Sequence, residues 1–400
     1  MKGIARFCRL ILGVVLVFSG FVKLLAPVGT SLIIKEYLLA FHCGFMAPAS
    51  LVLGIALSLL EFLTGIALLL RLRLRFASGI ALVMISVFTL LTLYLAIFNP
   101  IEDCGCFGEA VHLTNWQTFY KNLVLLPCAI IIFAFRKRIT EFRYPVWEWI
   151  FLGLFAGLAV AVLLQIFMWS PLVEFTAYKI GSEIKSEPQA ESVPQYETEF
   201  IYEKDGRTEQ FTLENLPDST WTFVEAVTTT APGGRNANAS DADFLIESPQ
   251  GYDITEDILT RRKLLLMSVY HPDKLCRKSP DAVARVRDAA QAQGMDFVLV
   301  AADNMECVPD DCPVNRADLK LLMTLNRSNG GVTYLDDGVI VRKWTRTRAV
   351  NPEVNFFGDK DADLTLLMSL NRQRMVVEIV AVIFILLCLL KFFVFYKKKE

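Results

Sequence analysis

"FTLLTLYLAIFNPIEDCGCFGEA", residues 88–110, decides the fold. It ends an apolar run at Phe98 and follows it at once with a polar loop holding two cysteines one glycine apart. A second apolar run begins about ten residues later, so the loop joins two hydrophobic segments. Six such runs, at about 4–25, 48–70, 76–98, 118–135, 147–169 and 376–396, reach the length needed to cross a hydrocarbon core of roughly 30 Å. The fourth is the shortest and holds Pro127, which predicts a kink inside a bundle. The first is too long for a signal-peptide core and no small-residue cleavage site is evident, so it reads as a retained helix. The composition agrees: 54% of the 400 residues are hydrophobic and 20% charged, and the mean hydropathy of +0.42 is that of a membrane protein. With a formal net charge of -2, the chain has no basic field for a phosphate backbone, so nucleic acid is not an expected partner.

Basic residues set the expected orientation. Lys2, Arg6 and Arg9 precede span 1, Arg71, Arg73 and Arg75 separate spans 2 and 3, Arg136, Lys137, Arg138 and Arg143 separate spans 4 and 5, and Lys397, Lys398 and Lys399 follow span 6. All four clusters fall on one side, which predicts a bacterial inner-membrane protein with both termini cytoplasmic and residues 170–375 periplasmic. Cys43, Cys104, Cys106, Cys276, Cys307 and Cys312 then face an oxidising space, while Cys8 and Cys388 lie near the inner ends of spans 1 and 6 and Cys128 within span 4.

The insert between spans 5 and 6 divides in two. Residues 182–199 are polar, acidic and proline-containing, as a linker is, and the region 182–260 reads as linker plus a β-rich segment with a hairpin turning at Asp205-Gly206. Residues 261–350 change character. "KLLLMSVY" is a buried strand, "SPDAVARVRDAAQAQG" a helix with Ser279 as N-cap, Pro280 at N1 and Gly294 as stop, "DFVLVAA" a strand, "RADLKLLMTLN" a helix and "VTYLDDGVIVRKW" a hairpin. The order β-α-β-α-β-β is that of a thioredoxin fold.

Cys276 occupies the reactive place of such a fold, but "CRKS" puts Ser279 where a second cysteine would stand, so the motif supports a monothiol. Gly330 and Gly331 replace the cis-proline, which favours a degenerate module over ordinary thioredoxin activity. Cys307 and Cys312 are spaced to bridge each other, with a resolving role toward Cys276 as the alternative.

Cysteines at i and i+2 bridge only through a tight, strained turn that Gly105 permits, and a strained bridge is an oxidising one. Three readings stay open for Cys104 and Cys106: a redox pair, a plain structural bridge, between themselves or with Cys43, or metal capture with His112. Glu102, Asp103 and Glu109 disfavour a thiolate there, with Lys121 as a partial offset. Glu61 falls inside span 2, where a carboxylate is either functional or paired to fix packing. Lys23, near the outer end of span 1, is expected to snorkel.

Taken together, "LEFLTGIALLL", "FTLLTLYLAIFNPIEDCGCFGEA" and "LTNWQTFYKNLVLL" resemble the DoxX/MauE group of small four-helix membrane proteins over residues 1–138. The specific part is "CGCFG" followed by the region of Trp116 and Asn122. The resemblance implies help with disulfide formation in a periplasmic dehydrogenase subunit, as in the MauE branch linked to methylamine utilisation, or quinone-linked thiol oxidation, as in other relatives. It implies that Cys104 and Cys106 are the redox pair. The two further spans and the outer domain look like the fused DoxX-type proteins of Bacteroidetes, which makes a methylamine substrate unexpected.

The expected architecture is a membrane all-α protein: a four-helix transmembrane bundle plus two further transmembrane helices flanking an extracytoplasmic β-rich segment and an α/β thioredoxin-like domain. The expected activity is thiol-disulfide exchange or quinone-linked thiol oxidation toward extracytoplasmic client thiols, with no tightly bound cofactor, with membrane lipid as a partner and quinone as the electron acceptor. Cys104, Cys106 and Cys276 are the candidate catalytic residues, and Glu61, Cys307 and Cys312 further candidates. The rival is a non-enzymatic assembly or binding protein.

Overall fold

The computed structural model describes residues 2–99, 101, 104–111, 113–138, 145–169, 172–184, 196–204, 207–211, 222–230, 244–351 and 353–396. The Asp205-Gly206 turn, Glu102, Asp103, His112, Arg143 and the lysines at 397–399 lie outside them.

Helix α1 (Lys2–Leu25) leads into α2 (Pro27–Ala40), then α3 (Ser50–Leu70), α4 (Leu74–Phe98), α5 (Asn115–Phe135) and α6 (Pro145–Met168). Among the described residues, five of these and a C-terminal helix make six helices long and apolar enough to cross a membrane. Their shared core runs through Leu12, Phe62, Ile66, Leu68, Ile85, Ile132 and Phe155. Spans 1 and 2 approach closely because Gly20 has no side chain: a Cβ there would meet the backbone nitrogen of Phe62 at 2.4 Å. Helix ends are satisfied by distant side chains. Arg9 Nη1 donates to the Leu68 and Leu69 carbonyls at the end of α3, and Glu148 accepts the backbone N–H of Arg73 before α4. Thr114 and Gln117 form a reciprocal capping box that starts α5, which runs on through Pro127.

Helix α2 was not apparent in the sequence, where residues 26–47 read as an outer loop. Pro27 at its N-terminus is pre-set for a first helical turn. Its Thr30 and Ile34 pack on Gly54 of α3.

Residues 185–241 form a separate unit. Within it β1 (Tyr196–Lys204) pairs antiparallel with β2 (Arg207–Phe211) on one edge and β3 (Thr222–Thr230) on the other.

The remaining insert continues with α7 (Thr255–Leu259), β4 (Leu264–Val269), α8 (Pro272–Lys278), α9 (Ala282–Ala292), β5 (Asp296–Ala301), β6 (Val314–Arg316), α10 (Leu319–Leu325), β7 (Gly331–Asp336), β8 (Val339–Trp344) and α11 (Arg346–Ala349), before α12 (Ala362–Tyr396). The sheet order is β6-β5-β4-β7-β8, with β4 parallel to β5 and antiparallel to β7. Every residue of β4 is buried, as expected of a central strand covered on both faces. Leu265, Met267 and Val269 face a core with α9, while Leu264 and Leu266 face another with α10 and α7.

Two boundaries differ from those read in the sequence. Residues 244–259 belong to the sheet rather than to the β-rich segment, because Ile246, Ile258 and Leu259 are buried in its second core and Glu247 bridges Arg316. The start of the linker is likewise pinned, with Gly181 N–H donating to Ile340 and Ile184 N–H to Gly338. Ser279 does not cap the long helix: it terminates α8, and Asp281 precedes α9. Gly294 (φ +66°) does close that helix.

Candidate functional site

The cysteine loop is held from three sides. Tyr37 Oη of α2 donates to the Cys104 carbonyl at 2.8 Å, Ser19 Oγ of α1 to the Cys106 carbonyl at 2.7 Å, and Asn115 Nδ2 of α5 to the Ile101 carbonyl at 2.7 Å. Gly105 sits at φ +62°, in the left-handed region, and a Cβ on it would meet Ile33 at 2.6 Å. Phe107 is covered by Phe18, with ring centroids 5.5 Å apart, and by Lys121 Nζ at 4.4 Å.

This geometry brings the two sulfurs to 2.7 Å, inside van der Waals contact, so the turn at Gly105 holds Cys104 and Cys106 within bridging reach of each other. Cys104 is buried and Cys106 half-buried. The hydrogen bond from Cys104 holds the Cys106 thiol down at about 6, against its burial, and Lys121 and Lys23 help. The same bond and burial push Cys104 far up, so the pair keeps one proton on Cys104. Sequence reading had the acidic neighbours disfavouring a thiolate. In the structure Cys106 is lowered chiefly by Cys104, with Lys121 and Lys23 adding to it, and Glu102 and Asp103 lie outside the described residues.

Lys23 does not snorkel. Its ammonium is buried and donates to both oxygens of Glu61, at 2.8 and 3.0 Å, and Ser19 Oγ lies 2.7 Å from the same carboxylate. Ser19 thus connects the ion pair to the cysteine loop. Glu61, Lys23, Ser19, Cys104 and Cys106 line one cavity of about 410 Å³, closed elsewhere mainly by apolar side chains such as Leu16, Ile34, Leu57 and Phe88. That volume is within the range of small-molecule sites.

Residues 1–136 form a MauE family domain. The matching family model is described as methylamine utilisation protein MauE. The MauE domain contains both lysines, Glu61 and the cysteine pair, and it ends within one residue of α5. Residues 196–230, the span of β1 to β3, match a domain of unknown function (DUF8463). No curated protein matches the chain. No solved structure matches it either.

Beyond the MauE domain, Cys276 is bonded to Cys307, not left as a monothiol, and Cys312 is free, which corrects the expected 307–312 bridge. The local spacing favoured the near pair. The fold instead brings the β5–β6 loop onto α8, so cysteines 31 residues apart meet. Asn329 organises that end of the domain, accepting the backbone N–H groups of Tyr270 and His271 and donating to the His271 carbonyl. Gly330 (φ +79°) follows it, where the sequence lacked a proline.

The MauE domain and the sheet are in contact. Arg327 pairs with Glu109 of the cysteine loop, both largely buried. His271, before α8, is lowered by burial, then by Lys274 and by Lys35 of α2. Cys43 is unbonded. Among the described residues no three metal-ligating side chains converge, and His112 lies outside them.

Proposed function

We propose that this membrane protein is a thiol oxidant whose working pair is Cys104 and Cys106, placed on the periplasmic side of a bacterial inner membrane. The observation that carries this reading is a thiol and a stabilised thiolate in contact at the wall of a cavity that also holds a buried Lys-Glu pair. Stabilising the thiolate favours the reduced form over the disulfide, which makes the pair oxidising without any appeal to strain.

In the oxidised state a client thiolate attacks Cys106, the more open sulfur, and Cys104 leaves and takes up a proton. The second client thiolate then displaces Cys106, which departs as the stabilised thiolate. The client dithiol becomes a disulfide, and the Cys104–Cys106 disulfide becomes one thiol and one thiolate. The cavity suits a quinone, with an apolar body and with the Lys121 ammonium as a polar handle on its lining. A bound quinone would accept the electron pair together with the Cys104 proton and one proton from water, leaving as the quinol and restoring the disulfide.

Residues 261–350 are read as a thioredoxin-like domain, and the Cys276–Cys307 disulfide as its exchange site with clients. The ion pair of Arg327 with Glu109 of the cysteine loop and the electrostatic influence of Lys35 on His271 support a relay, since both join that end of the sheet to the MauE domain. Tethering at both ends by spans would raise the effective concentration of that disulfide at the loop.

The test is acid-quenched alkylation of Cys104 and Cys106 in native membranes, read by mass spectrometry with the quinone pool held oxidised and then reduced. A pair that follows the pool is the expected result. A pair in one state under both conditions refutes the oxidant reading and leaves an assembly or binding protein.

A further inference from the structure

A second site lies where α6 and α12 meet the sheet, away from the cysteines. Arg342 of β8, Arg348 of α11 and Arg372 of α12 line one pocket of about 210 Å³. Arg348 and Arg372 both stack on the indole of Trp169, at 3.5 and 3.9 Å from the ring centroid. Arg342 lies over Phe357 at 4.6 Å. Among the described residues none of these three guanidiniums has a carboxylate within ion-pair distance, although Glu353 also lines the pocket. The neighbouring Lys343 is committed to Glu174 and the Tyr178 carbonyl. Burial, with Arg372 adding to it, pulls Arg342 down to about 10. Three cations gathered without an anion are held against their mutual repulsion.

The place of the pocket specifies the anion. Trp169 directly follows the last residue of a membrane span, where an indole marks the boundary of the bilayer. Directly along the same helices lies an almost wholly apolar cavity of about 430 Å³, lined by Leu158 and Val162 of α6, Val377, Val380 and Ala381 of α12, and Phe21 of α1. The two pockets share Leu172 and adjoin along each helix: Leu158, Val162 and Gln165 of α6 with Trp169 just beyond it, and Arg372, Val376, Val380 and Phe384 of α12. Phe155 and Phe384 close the far end, with centroids 5.5 Å apart. From Arg372 to Phe384 the helix rises about 18 Å, enough for most of an extended acyl chain.

We propose that this site binds a membrane phospholipid, its phosphate held by Arg342, Arg348 and Arg372 and one acyl chain laid in the apolar slot between α6 and α12. Guanidiniums match phosphate oxygens in geometry as well as charge. Stacking on Trp169 and Phe357 preorganises them without supplying a competing anion.

The test uses the full-length protein purified in detergent. Bound lipid is quantified by mass spectrometry, and thermal unfolding is followed after adding dioleoylphosphatidylglycerol or inorganic phosphate. Wild type is expected to retain a phospholipid, and to be stabilised by the lipid but not by phosphate alone. Replacing the arginines together (Arg342→Gln, Arg348→Gln, Arg372→Gln) should weaken retention by about tenfold or more, the loss of several charged hydrogen bonds. Ala381→Trp, which fills the slot and leaves the arginines in place, should reduce retention as well. Equal retention by wild type and both variants overturns the proposal. Stabilisation by inorganic phosphate equal to that by lipid, and insensitive to Ala381→Trp, also overturns it, because the site would then be for a free anion.

Discussion

Replacing Cys104 by alanine removes the largest cause of the low Cys106 value, the hydrogen bond between the two sulfurs. The midpoint of Cys106 should climb from about 6 toward its ordinary 9.0. Near pH 7 the thiolate fraction would fall from roughly 90% to roughly 1%, but a more basic thiolate is also more nucleophilic, by about twentyfold over that interval at a Brønsted slope of 0.4–0.5. The net loss of alkylation rate near neutrality is therefore only about fourfold, whereas near pH 5 it is about fiftyfold. The sign follows from the anion being the reactive form: a raised value removes thiolate at every pH below it. The assay is the pH profile of iodoacetamide labelling at Cys106 in detergent-solubilised protein, read by peptide mass spectrometry. Cys104→Ser retains a donor and should shift the profile less. A Cys104→Ala profile still centred near 6 would refute the reasoning, and would assign the effect to Lys121 and Lys23 instead.

Lys23→Met leaves the Glu61 carboxylate buried without its cation and should cost about 3–5 kcal/mol in detergent unfolding, and adding Glu61→Gln to the same chain should recover part of that loss. Gly29→Ala would place a Cβ 2.2 Å from Oε1 of Glu109. The displaced carboxylate should release Arg327 and cost about 1–3 kcal/mol, seen as faster hydrogen exchange over residues 326–331. Cys307→Ala opens a loop of 31 residues. It should lower the stability of the sheet by roughly 3–4 kcal/mol in thermal unfolding. Peptide mapping of the native protein should find Cys276 joined to Cys307 and Cys312 free to label.

The apolar runs made all six membrane-capable helices legible, because length and hydropathy are properties of each segment alone. Most of the strand and helix order of residues 264–344 was legible for the same reason, since period and turn residues are local, but the short strand β6 and the separate helix α8 were not read. What the sequence hid depends on partners far along the chain. Lys23 read as a snorkelling end residue because its partner is 38 positions away, on another helix. Cys307 was matched with its near neighbour Cys312, while the fold brings a loop back to α8. Helix α2 was missed because "PVGTSLIIKEYLLA" has little contrast between its faces, its outer side meeting the cysteine loop and its inner side Gly54. The arginine pocket draws on β8, α11 and α12 at once, and no window of sequence contains it.

Ser19 shows how the buried ion pair and the cysteine loop act on each other. Its hydroxyl has one proton and two acceptors at 2.7 Å, the Glu61 carboxylate and the Cys106 carbonyl, and it serves only one at a time. Lys23 satisfies both oxygens of Glu61, which lowers the demand of the carboxylate and leaves the proton to the loop. Without Lys23, the ionised carboxylate is the stronger acceptor and draws the hydroxyl away, so the Cys106 carbonyl loses its anchor. The ion pair therefore fixes where the Cys106 sulfur sits, as well as holding α1 to α3. Its two charges act in opposite senses at that sulfur, since Lys23 lowers and Glu61 raises the same thiol. A pair with small net charge and two hydrogen-bonding arms suits positioning, and it leaves the tuning of Cys106 chiefly to Cys104 and Lys121.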